Sequence, residues 1–299
     1  MTWISDLDAP GALLISLTAV TAVLLIVLLS TSSTAFGAYN PTWDGTSTLR
    51  DEASTVAEDP VIVTNVSEYR ETDPSSSVAL VLSPARSYGS GEAETVQQFV
   101  RAGGTLIVAD DFGTGTNQLL TDIGAQTRID GRPLRDGEEF YRSPALPVAT
   151  GVQPHPLTGG ASRLTLNHAT ALRPNGALVL ARTSPYAYLD ANRNETLDSS
   201  ENLGRYPVVT TERLGQGRLV VVSDPSLFIN AMIDRDDNRE FVGALLADHQ
   251  TVLLDYSHTG EIPPLTAFQI SLQDSPMLRL MLGLVGVLGV ALVGSRYAE

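Results

Sequence analysis

The chain has 299 residues and carries 34 acidic against 19 basic residues, a net charge of −15. All basic residues are arginine, and there is no cysteine. This charge argues against a nucleic-acid partner, which requires a basic surface. The lack of cysteine excludes disulfides, thiolate metal sites and cysteine nucleophiles. An acidic, lysine-free composition is typical of proteins from high-salt organisms, where salt screens repulsion between carboxylates. An acidic protein from a low-salt organism is the alternative.

The first predicted element is an apolar segment near the N-terminus. Residues 11–30 contain no charged side chain, and twenty helical residues span about 30 Å, the thickness of a bilayer core. A cleaved signal peptide is the alternative, but it needs a basic N-terminal region, whereas this one contains Asp6 and Asp8. We therefore expect a tail and an uncleaved transmembrane helix within residues 1–38, followed by a linker at residues 39–47.

Buried strands alternating with helices are predicted after this linker. Short apolar runs predict strands at residues 61–63, 78–83 and 105–109. A helix starting at Ser90 ends at Gly103-Gly104, which suit a left-handed cap, and another helix covers residues 116–123. This alternation with short loops predicts an α/β fold, with a mostly parallel sheet and helices on both faces.

The second half of the domain is predicted to begin irregularly and to end with a hairpin. Residues 131–160 are proline-rich, and further strands are predicted at residues 164–166, 177–181, 207–212, 219–222 and 251–255. The Gly215-x-Gly217 turn joins two of these strands, so we expect the sheet to end in an antiparallel hairpin. Asp236, Asp237 and Asn238 precede an amphipathic helix.

A second uncharged segment covers residues 280–295, between Arg279 and Arg296. Sixteen helical residues span about 24 Å, which is short for a bilayer, although both arginines can extend to the interfaces. A buried core helix is the alternative. We expect a transmembrane helix at residues 279–296, joined by a linker at residues 263–278 to the α/β domain at residues 48–262.

Polar residues collect where the central strand ends, and they form a candidate site. The candidate ligand-binding residues are Asp111, Ser223, Asp224, Ser226, Asn230, Asp237 and Asn238. Open α/β sheets bind ligands at the carboxyl ends of their strands, so we expect a small polar ligand here. Turn and helix-cap hydrogen bonding, which uses the same residue types, is the alternative.

A polar insert at residues 186–204 contains a twelve-residue pattern typical of a calcium loop. The candidate metal ligands are Asp190, Asn192, Asn194, Thr196, Asp198 and Glu201, with Thr196 acting through its backbone carbonyl. Glu195 departs from the pattern, because glycine is expected there for a sharp turn. We expect weak binding of Ca²⁺ and no other cofactor. A solvated acidic loop is the alternative.

Several stretches resemble one known family. They are VALVLSP, RAGGTLIVADD, LDANRNETLDSSE, GQGRLVVVSDPSLFIN with the following DDNREF, and LLDYSH. They resemble the domain of unknown function 4350 family in its haloarchaeal type, over residues 45–258. The resemblance implies a membrane anchor and a domain similar to class I glutamine amidotransferases, with a flavodoxin-like fold. It also implies an envelope assembly system in which a MoxR-type AAA ATPase is a partner.

The chemistry available to such a domain is limited. An amidotransferase needs a cysteine nucleophile, which this chain lacks, and none of the histidines forms a metal-ligand pair in sequence. We therefore expect a non-catalytic, membrane-anchored envelope or assembly component that binds a partner or a small polar ligand. Two alternatives remain open: a hydrolase or transferase that uses Asp110, Asp111 or Asp224 as acid or base, and an auxiliary subunit of an ABC-type exporter. Hydrogen-bond contact between Asp111, Asp224 and a histidine would favour the enzyme.

The expected location is the cell membrane, with two passes and the soluble domain outside the cell. The acidic N-terminal tail instead favours an N-terminus outside the cell, which would place the domain inside. The family layout, the weak calcium loop and the glycosylation sequons at Asn65 and Asn194 favour the outside.

Overall fold

The computed structural model describes residues 34–57 and 60–258, together with the isolated positions Leu17, Val20, Thr21 and Met277. The chain divides into two compact units, one formed by Ser33–Glu261 and the other by Met1–Ser32 with Ile262–Glu299. The continuously described residues all belong to the first unit.

The prediction of two flanking transmembrane helices is wrong as part of the fold class. Within the described residues, no helix has both the length and the apolar character needed to cross a bilayer. The α-helices between residues 34 and 258 have 9 to 12 residues, whereas a bilayer core needs about twenty. Apart from Leu17, Val20 and Thr21, the predicted segments at residues 11–30 and 280–295 lie outside the described residues. The supported fold class is α/β with a mixed, mostly parallel sheet.

Between residues 34 and 258 the chain forms four α-helices and fourteen β-strands. The helices are α1 (Ser47–Val56), α2 (Ser90–Arg101), α3 (Thr114–Asp122) and α4 (Asn238–Leu246). The strands are β1 (Val61–Val63), β2 (Ser77–Leu82), β3 (Thr105–Ala109), β4 (Arg128–Ile129), β5 (Leu134–Asp136), β6 (Val148–Ala149), β7 (Gly151–Val152), β8 (Leu164–Thr165), β9 (Leu172–Arg173), β10 (Leu178–Arg182), β11 (Ala187–Leu189), β12 (Pro207–Leu214), β13 (Gly217–Val222) and β14 (Thr251–Asp255). Short 3₁₀-helices cover Val66–Glu71, Pro74–Ser76, Pro156–Thr158 and Pro225–Phe228.

Eight of the strands form one mixed sheet in the order β1-β14-β2-β3-β13-β12-β10-β7. The strands from β1 to β13 in this order are parallel, and β12, β10 and β7 extend the sheet with antiparallel pairs. The predicted hairpin between β12 and β13 is confirmed. Gly215 in its turn has a φ of 65°, a left-handed conformation that glycine adopts without strain. The sheet does not end at this hairpin, because β10 and β7 continue it.

Helices cover both faces of the sheet, as predicted. Val78 and Leu80 of β2 pack in a core that also contains residues of α1 and α4. Ala79 and Val81 of the same strand pack in a second core with residues of α2 and α3. Because alternate side chains of a strand point to opposite faces, burial of both faces explains the continuous apolar runs of the parallel strands.

Residues 164–172, the covering segment, lie across the carboxyl end of β13. The backbone N–H of Asn167 donates to the Asp224 carboxylate, and the N–H of Thr170 donates to the carbonyl of Ser223. On its other side, Ala169 accepts a hydrogen bond from the N–H of Leu134. The candidate site at this end of the sheet is therefore built partly from a segment that belongs to none of the parallel strands.

Candidate functional site

Two neighbouring parallel strands bring the predicted carboxylates together. Ala109 at the end of β3 is in register with Val222 at the end of β13. The next residue, Asp110, continues the pairing, because its N–H donates to the carbonyl of Val222 at 3.2 Å. The polar residues that follow each strand, Asp110-Asp111 and Ser223-Asp224, therefore meet at one edge of the sheet.

Asp110 is buried against the first turns of α3. The hydroxyl of Thr116 donates to its Oδ2 atom, and the N–H of Asp111 donates to its Oδ1 atom. Burial raises the pKa of Asp110, although these hydrogen bonds act in the opposite direction. Asp110 therefore links the end of β3 to α3.

Asp111 and Asp224 form a pair of carboxyls that titrate near neutral pH. Asp224 is fully buried and accepts backbone hydrogen bonds from Asn167 at 2.6 Å and Ser226 at 2.7 Å. Burial raises the pKa of Asp224 to about 7 despite these donors, and the charge of Asp111 adds to the increase. Burial likewise raises the pKa of Asp111 to about 6. Carboxyls shifted in this way are frequent in acid–base sites.

A histidine does not complete this pair within the described residues. The ring nitrogens of His258 lie near Ser257 and Glu92, and those of His249 lie near Thr105 and Leu246. His168 follows Asn167 in the covering segment, but its side chain is exposed, and Nδ1 of His155 accepts from the N–H of Leu157. The arrangement that would favour an enzyme is therefore not present among these residues.

The other candidate ligand residues hold segments of the chain together. Asp237 accepts hydrogen bonds from the N–H groups of Ser162 and Arg163, at 2.7 and 3.1 Å. Asn238 is fully buried, accepts from the N–H of Thr165, and donates to the carbonyls of Thr165 and Met232. The contacts of Asn238 attach the covering segment to the start of α4, and those of Asp237 attach the two residues before that segment. They join segments that are far apart in the chain rather than capping the helix, because Asp237, the N-cap residue of α4, makes no side-chain cap hydrogen bond.

Asn230 anchors the segment that precedes α1. Its amide donates to the carbonyls of Asn40 and Thr42, and its oxygen accepts from the N–H of Thr48. The predicted linker at residues 39–47 is thus packed on the domain, with Asn40 and Thr46 buried.

Two serines of the candidate set differ from each other in their contacts. Ser226 is half-buried and donates its backbone N–H to Asp224. Ser223 is fully buried, and its hydroxyl has no hydrogen-bond partner within the described part of the chain. A buried hydroxyl without a partner is destabilising by about 1 to 3 kcal/mol.

The calcium-like loop adopts the sharp turn that its sequence seemed to lack. Glu195, in the position where glycine is expected, has a φ of 68°. However, the Oδ2 atom of Asp190 accepts from the Arg135 guanidinium at 2.7 Å, and the amides of Asn192 and Asn194 donate to Asp198. No group of three acidic or histidine side chains is arranged to hold a metal ion in the described parts of the chain. Coordination of Ca²⁺ would therefore require these side chains to turn toward the ion.

A second polar network, which sequence reasoning missed, follows β14. The hydroxyls of Tyr69 and Tyr88 donate to Oδ2 of Asp255, at 2.8 and 3.0 Å, and Ser257 donates to its Oδ1 atom. Burial raises the pKa of both tyrosines, and the charge of Asp255 raises it further.

His258 extends this network to α2. Its Nδ1 atom lies 2.8 Å from the Ser257 hydroxyl, and its Nε2 atom lies 3.1 Å from Oε2 of Glu92. The ring of Tyr88 stacks on the imidazole at 3.8 Å. The polar residues Ser257 and His258 can be read directly after β14 in the sequence. Glu92, the partner of His258, is distant in the chain, so the contact between them could not be predicted.

Comparison with known families assigns the chain to one of them. The sequence profile described as Domain of unknown function (DUF4350) matches residues 38–246, more than half of the chain. The chain belongs to the DUF4350 family. The match includes both strands that carry the carboxylate pair and all of the calcium-like loop. It includes Tyr69, Tyr88 and Glu92 of the second polar network but ends before Asp255 and His258. No curated protein matches the sequence.

Solved structures similar to this DUF4350 domain are distant. They include the mmIFT52 N-terminal domain, with 14% identity and a TM-score of 0.48, covering 67% of this chain and 83% of that one. A β-galactosidase from Rahnella sp. R3 has 15% identity and a TM-score of 0.42, covering 69% of this chain and 26% of the enzyme. The cytoplasmic protein STM1381 from Salmonella typhimurium LT2 has 12% identity and a TM-score of 0.37, covering 67% and 79%. None of them bears on the activity of the DUF4350 chain.

Proposed function

We propose that this chain is a non-catalytic assembly component that acts by binding a partner protein. One observation carries this proposal: Asp224, at the carboxyl end of the sheet where α/β enzymes place their reacting groups, holds the covering segment, which Asn238 attaches to α4. Asp224 is fully buried beneath Asn167, so a substrate would have to displace the chain's own backbone to reach it.

The partner follows from the family resemblance. We infer a domain of amidotransferase-like origin that has lost its nucleophile, since the chain contains no cysteine. The resemblance points to a MoxR-type AAA ATPase as the first partner to test. An ABC-type exporter is the alternative assembly.

Capture from native cells tests this proposal. The tagged full-length chain, at its natural level, would be crosslinked and purified, and we expect the MoxR-type ATPase to be recovered in stoichiometric amount. An Asp111→Asn variant should recover the same partner, because Asp111 is assigned no role in binding it. Recovery of the chain without any stoichiometric partner would contradict the proposal.

Acid–base catalysis is a second candidate, favoured by the Asp111–Asp224 pair. Two carboxyls with pKa values raised to about 6 and about 7 can each take up and release a proton near neutral pH. An activity screen against ester, phosphoester and glycoside substrates tests it. Turnover that Asp111→Asn abolishes would replace the binding proposal with this one.

A further inference from the structure

The calcium-like loop begins beside a buried arginine. β5 pairs with β11 in a register that sets Arg135 opposite Tyr188, and Asp190 directly follows the end of β11. The N–H of Asp190 donates to the carbonyl of Pro133 at 2.8 Å, so the start of the loop is attached to the chain just before β5. Arg135 is 9% exposed and Asp190 is fully buried. The fold therefore places a guanidinium at the first residue of the calcium pattern.

This one guanidinium binds two carboxylates of the loop. Nε of Arg135 donates to Oδ2 of Asp190 at 2.7 Å, and its Nη2 atom donates to Oε1 of Glu195 at 3.1 Å. The planar guanidinium carries several N–H donors in a fixed arrangement, which suits simultaneous contact with two carboxylates. Arg135 thus bridges the first and sixth positions of the twelve-residue pattern.

Asp190 is a buried carboxylate, and such a group needs an opposite charge or several hydrogen bonds. Besides Arg135, the N–H groups of Asn194 and Glu195 donate to it, each at 3.0 Å. Burial acts to raise the pKa of Asp190, but the hydrogen bonds from Arg135 and from the backbone outweigh it, so the pKa is lowered. The charge of Asp190 is therefore compensated by the chain itself.

Glu195 stands at the position where the calcium pattern expects glycine. Its φ is 68°, a left-handed conformation that glycine adopts with less strain. A glycine would have no side chain to bind Arg135, whereas the carboxylate of Glu195 does so. The residue that suits the turn less well is thus the one that completes the contacts of the guanidinium.

The other two carboxylates of the pattern are also bound by donors of the chain. Oδ2 of Asp198 accepts from the side-chain amides of Asn192 and Asn194, at 2.6 and 2.9 Å. The two oxygens of Glu201 accept from the N–H groups of Ala191 and Asp198. In a calcium loop, carboxylate and amide oxygens at these positions face the ion. Here both asparagines present their nitrogens to Asp198, so the loop is closed by its own donors.

We propose that Arg135 is the resident cation of this loop and that Ca²⁺ can reach Asp190 only by displacing it. The guanidinium supplies the positive charge that Ca²⁺ supplies in loops of this pattern, so the loop keeps its shape without a metal ion. Because Arg135 competes for Asp190, the wild-type chain binds Ca²⁺ weakly. Arg135 and Glu195 together set the affinity of the loop for a divalent ion.

Calcium binding by a full-length variant without the guanidinium tests this competition. Arg135→Met keeps an apolar side chain but no charge, and calorimetry with CaCl₂ at constant ionic strength gives its Kd beside that of the wild type. We expect the variant to bind Ca²⁺ at least tenfold more tightly. Arg173→Met, which removes an arginine paired with Asp130 outside the loop, is the matched control and should keep the wild-type Kd. If Arg135→Met binds Ca²⁺ no more tightly than the wild type, the proposal is overturned.

Proteolysis tests whether the loop needs a metal ion to keep its shape. Trypsin cleaves after arginine, and Arg193 is exposed within the loop. In EDTA, cleavage after Arg193, measured by mass spectrometry, should be at least tenfold slower in the wild type than in Arg135→Met. Ca²⁺ at a concentration that saturates the variant should protect it and change the wild-type rate less than twofold. A wild-type loop that is cleaved rapidly in EDTA and protected by Ca²⁺ would show that the metal, and not Arg135, holds the loop.

A second variant keeps the calcium test decisive if thermal melts show that Arg135→Met is unfolded. Glu195→Gly changes an exposed position and supplies the glycine of the pattern, so we expect a folded protein in which Arg135 has lost one of its two carboxylates. Its affinity for Ca²⁺ should rise about threefold, because the guanidinium is held less firmly. Wild-type affinity in this variant would overturn the proposal.

Discussion

The two ends of the large sheet use their polar residues in opposite ways. At the carboxyl ends of β3 and β13, buried Asp110 and Asp224 accept hydrogen bonds from the chain itself. At the other end, Arg213 and Arg218 face each other in an open groove without a carboxylate partner among the described residues. A cluster of residue types suited to a site can therefore be structural, whereas Arg213 and Arg218 are left lining an open groove.

The largest expected effect concerns Asp224 and pH. Its folded-state pKa of about 7 exceeds the ordinary value of 3.8, so the folded chain retains a proton that the unfolded chain releases. This proton stabilises the folded chain fully below about pH 4. As the pH rises from 4 to 7, the free energy of unfolding falls by roughly 4 kcal/mol, at about 1.4 kcal/mol per pKa unit. In Asp224→Asn this part of the decrease should disappear, while the smaller part from Asp111, whose pKa burial raises to about 6, should remain.

Urea unfolding between pH 4 and 8 measures this difference. Asp51→Asn, at an exposed position of α1, is the control and should keep the decrease. Parallel pH profiles for the wild type and Asp224→Asn would show that the carboxylate is not buried as described.

The next largest effect is expected at Asn238. Asn238→Ala leaves the buried N–H and carbonyl of Thr165 and the carbonyl of Met232 without their partner. We expect a loss of about 3 kcal/mol in the free energy of unfolding. Asn202→Ala, at an exposed position, should change it by less than about 0.5 kcal/mol. A loss below about 1 kcal/mol at Asn238 would mean that the covering segment is not held by this residue.

A smaller effect is expected from Ca²⁺ at the loop from Asp190 to Glu201. If the loop binds the ion, Ca²⁺ at ten times its Kd should stabilise the domain by about 1.4 kcal/mol. Calorimetry and thermal melts, with the chelator EDTA as the reverse step, measure it. Glu201→Gln should remove the heat of binding. Identical titrations for the two proteins would exclude the site.

The smallest expected effect is a difference in stability between removing an arginine without an ion pair and removing one that has an ion pair. Arg218→Ala should leave stability unchanged or raise it by about 0.5 kcal/mol at low salt, because it removes repulsion from Arg213. Arg173→Ala should lower stability by up to about 1 kcal/mol, because it removes a partner of Asp130, whose pKa the hydrogen bonds of Arg132 and Arg173 lower to about 2. Both differences should shrink in molar KCl. A loss above about 1 kcal/mol in Arg218→Ala would show that Arg218 has a stabilising contact.

Much of the secondary structure could be predicted because the parallel strands are buried on both faces. β3 (Thr105–Ala109) and β14 (Thr251–Asp255) have the predicted bounds, since strands of this kind are continuous apolar runs between polar residues. The pairing of β10 with β7 was not predictable, because β7 has two residues and no pattern of its own. Two uncharged runs also led to the prediction of flanking transmembrane helices. The length of an uncharged run was not enough to establish that part of the fold class.

Composition and local pattern determined the charge, the α/β class and the residues that follow each strand. Asp111, Ser223 and Asp224 could be placed at one edge, because the ends of neighbouring parallel strands meet there. Only the tertiary structure decided what these residues do, since burial, hydrogen-bond partners and pKa depend on segments far apart in the chain. Asn167 shields Asp224 from 57 residues away. Arg213 and Arg218 are directly opposite each other in the hairpin, yet whether either forms an ion pair depends on which carboxylates the rest of the fold brings near.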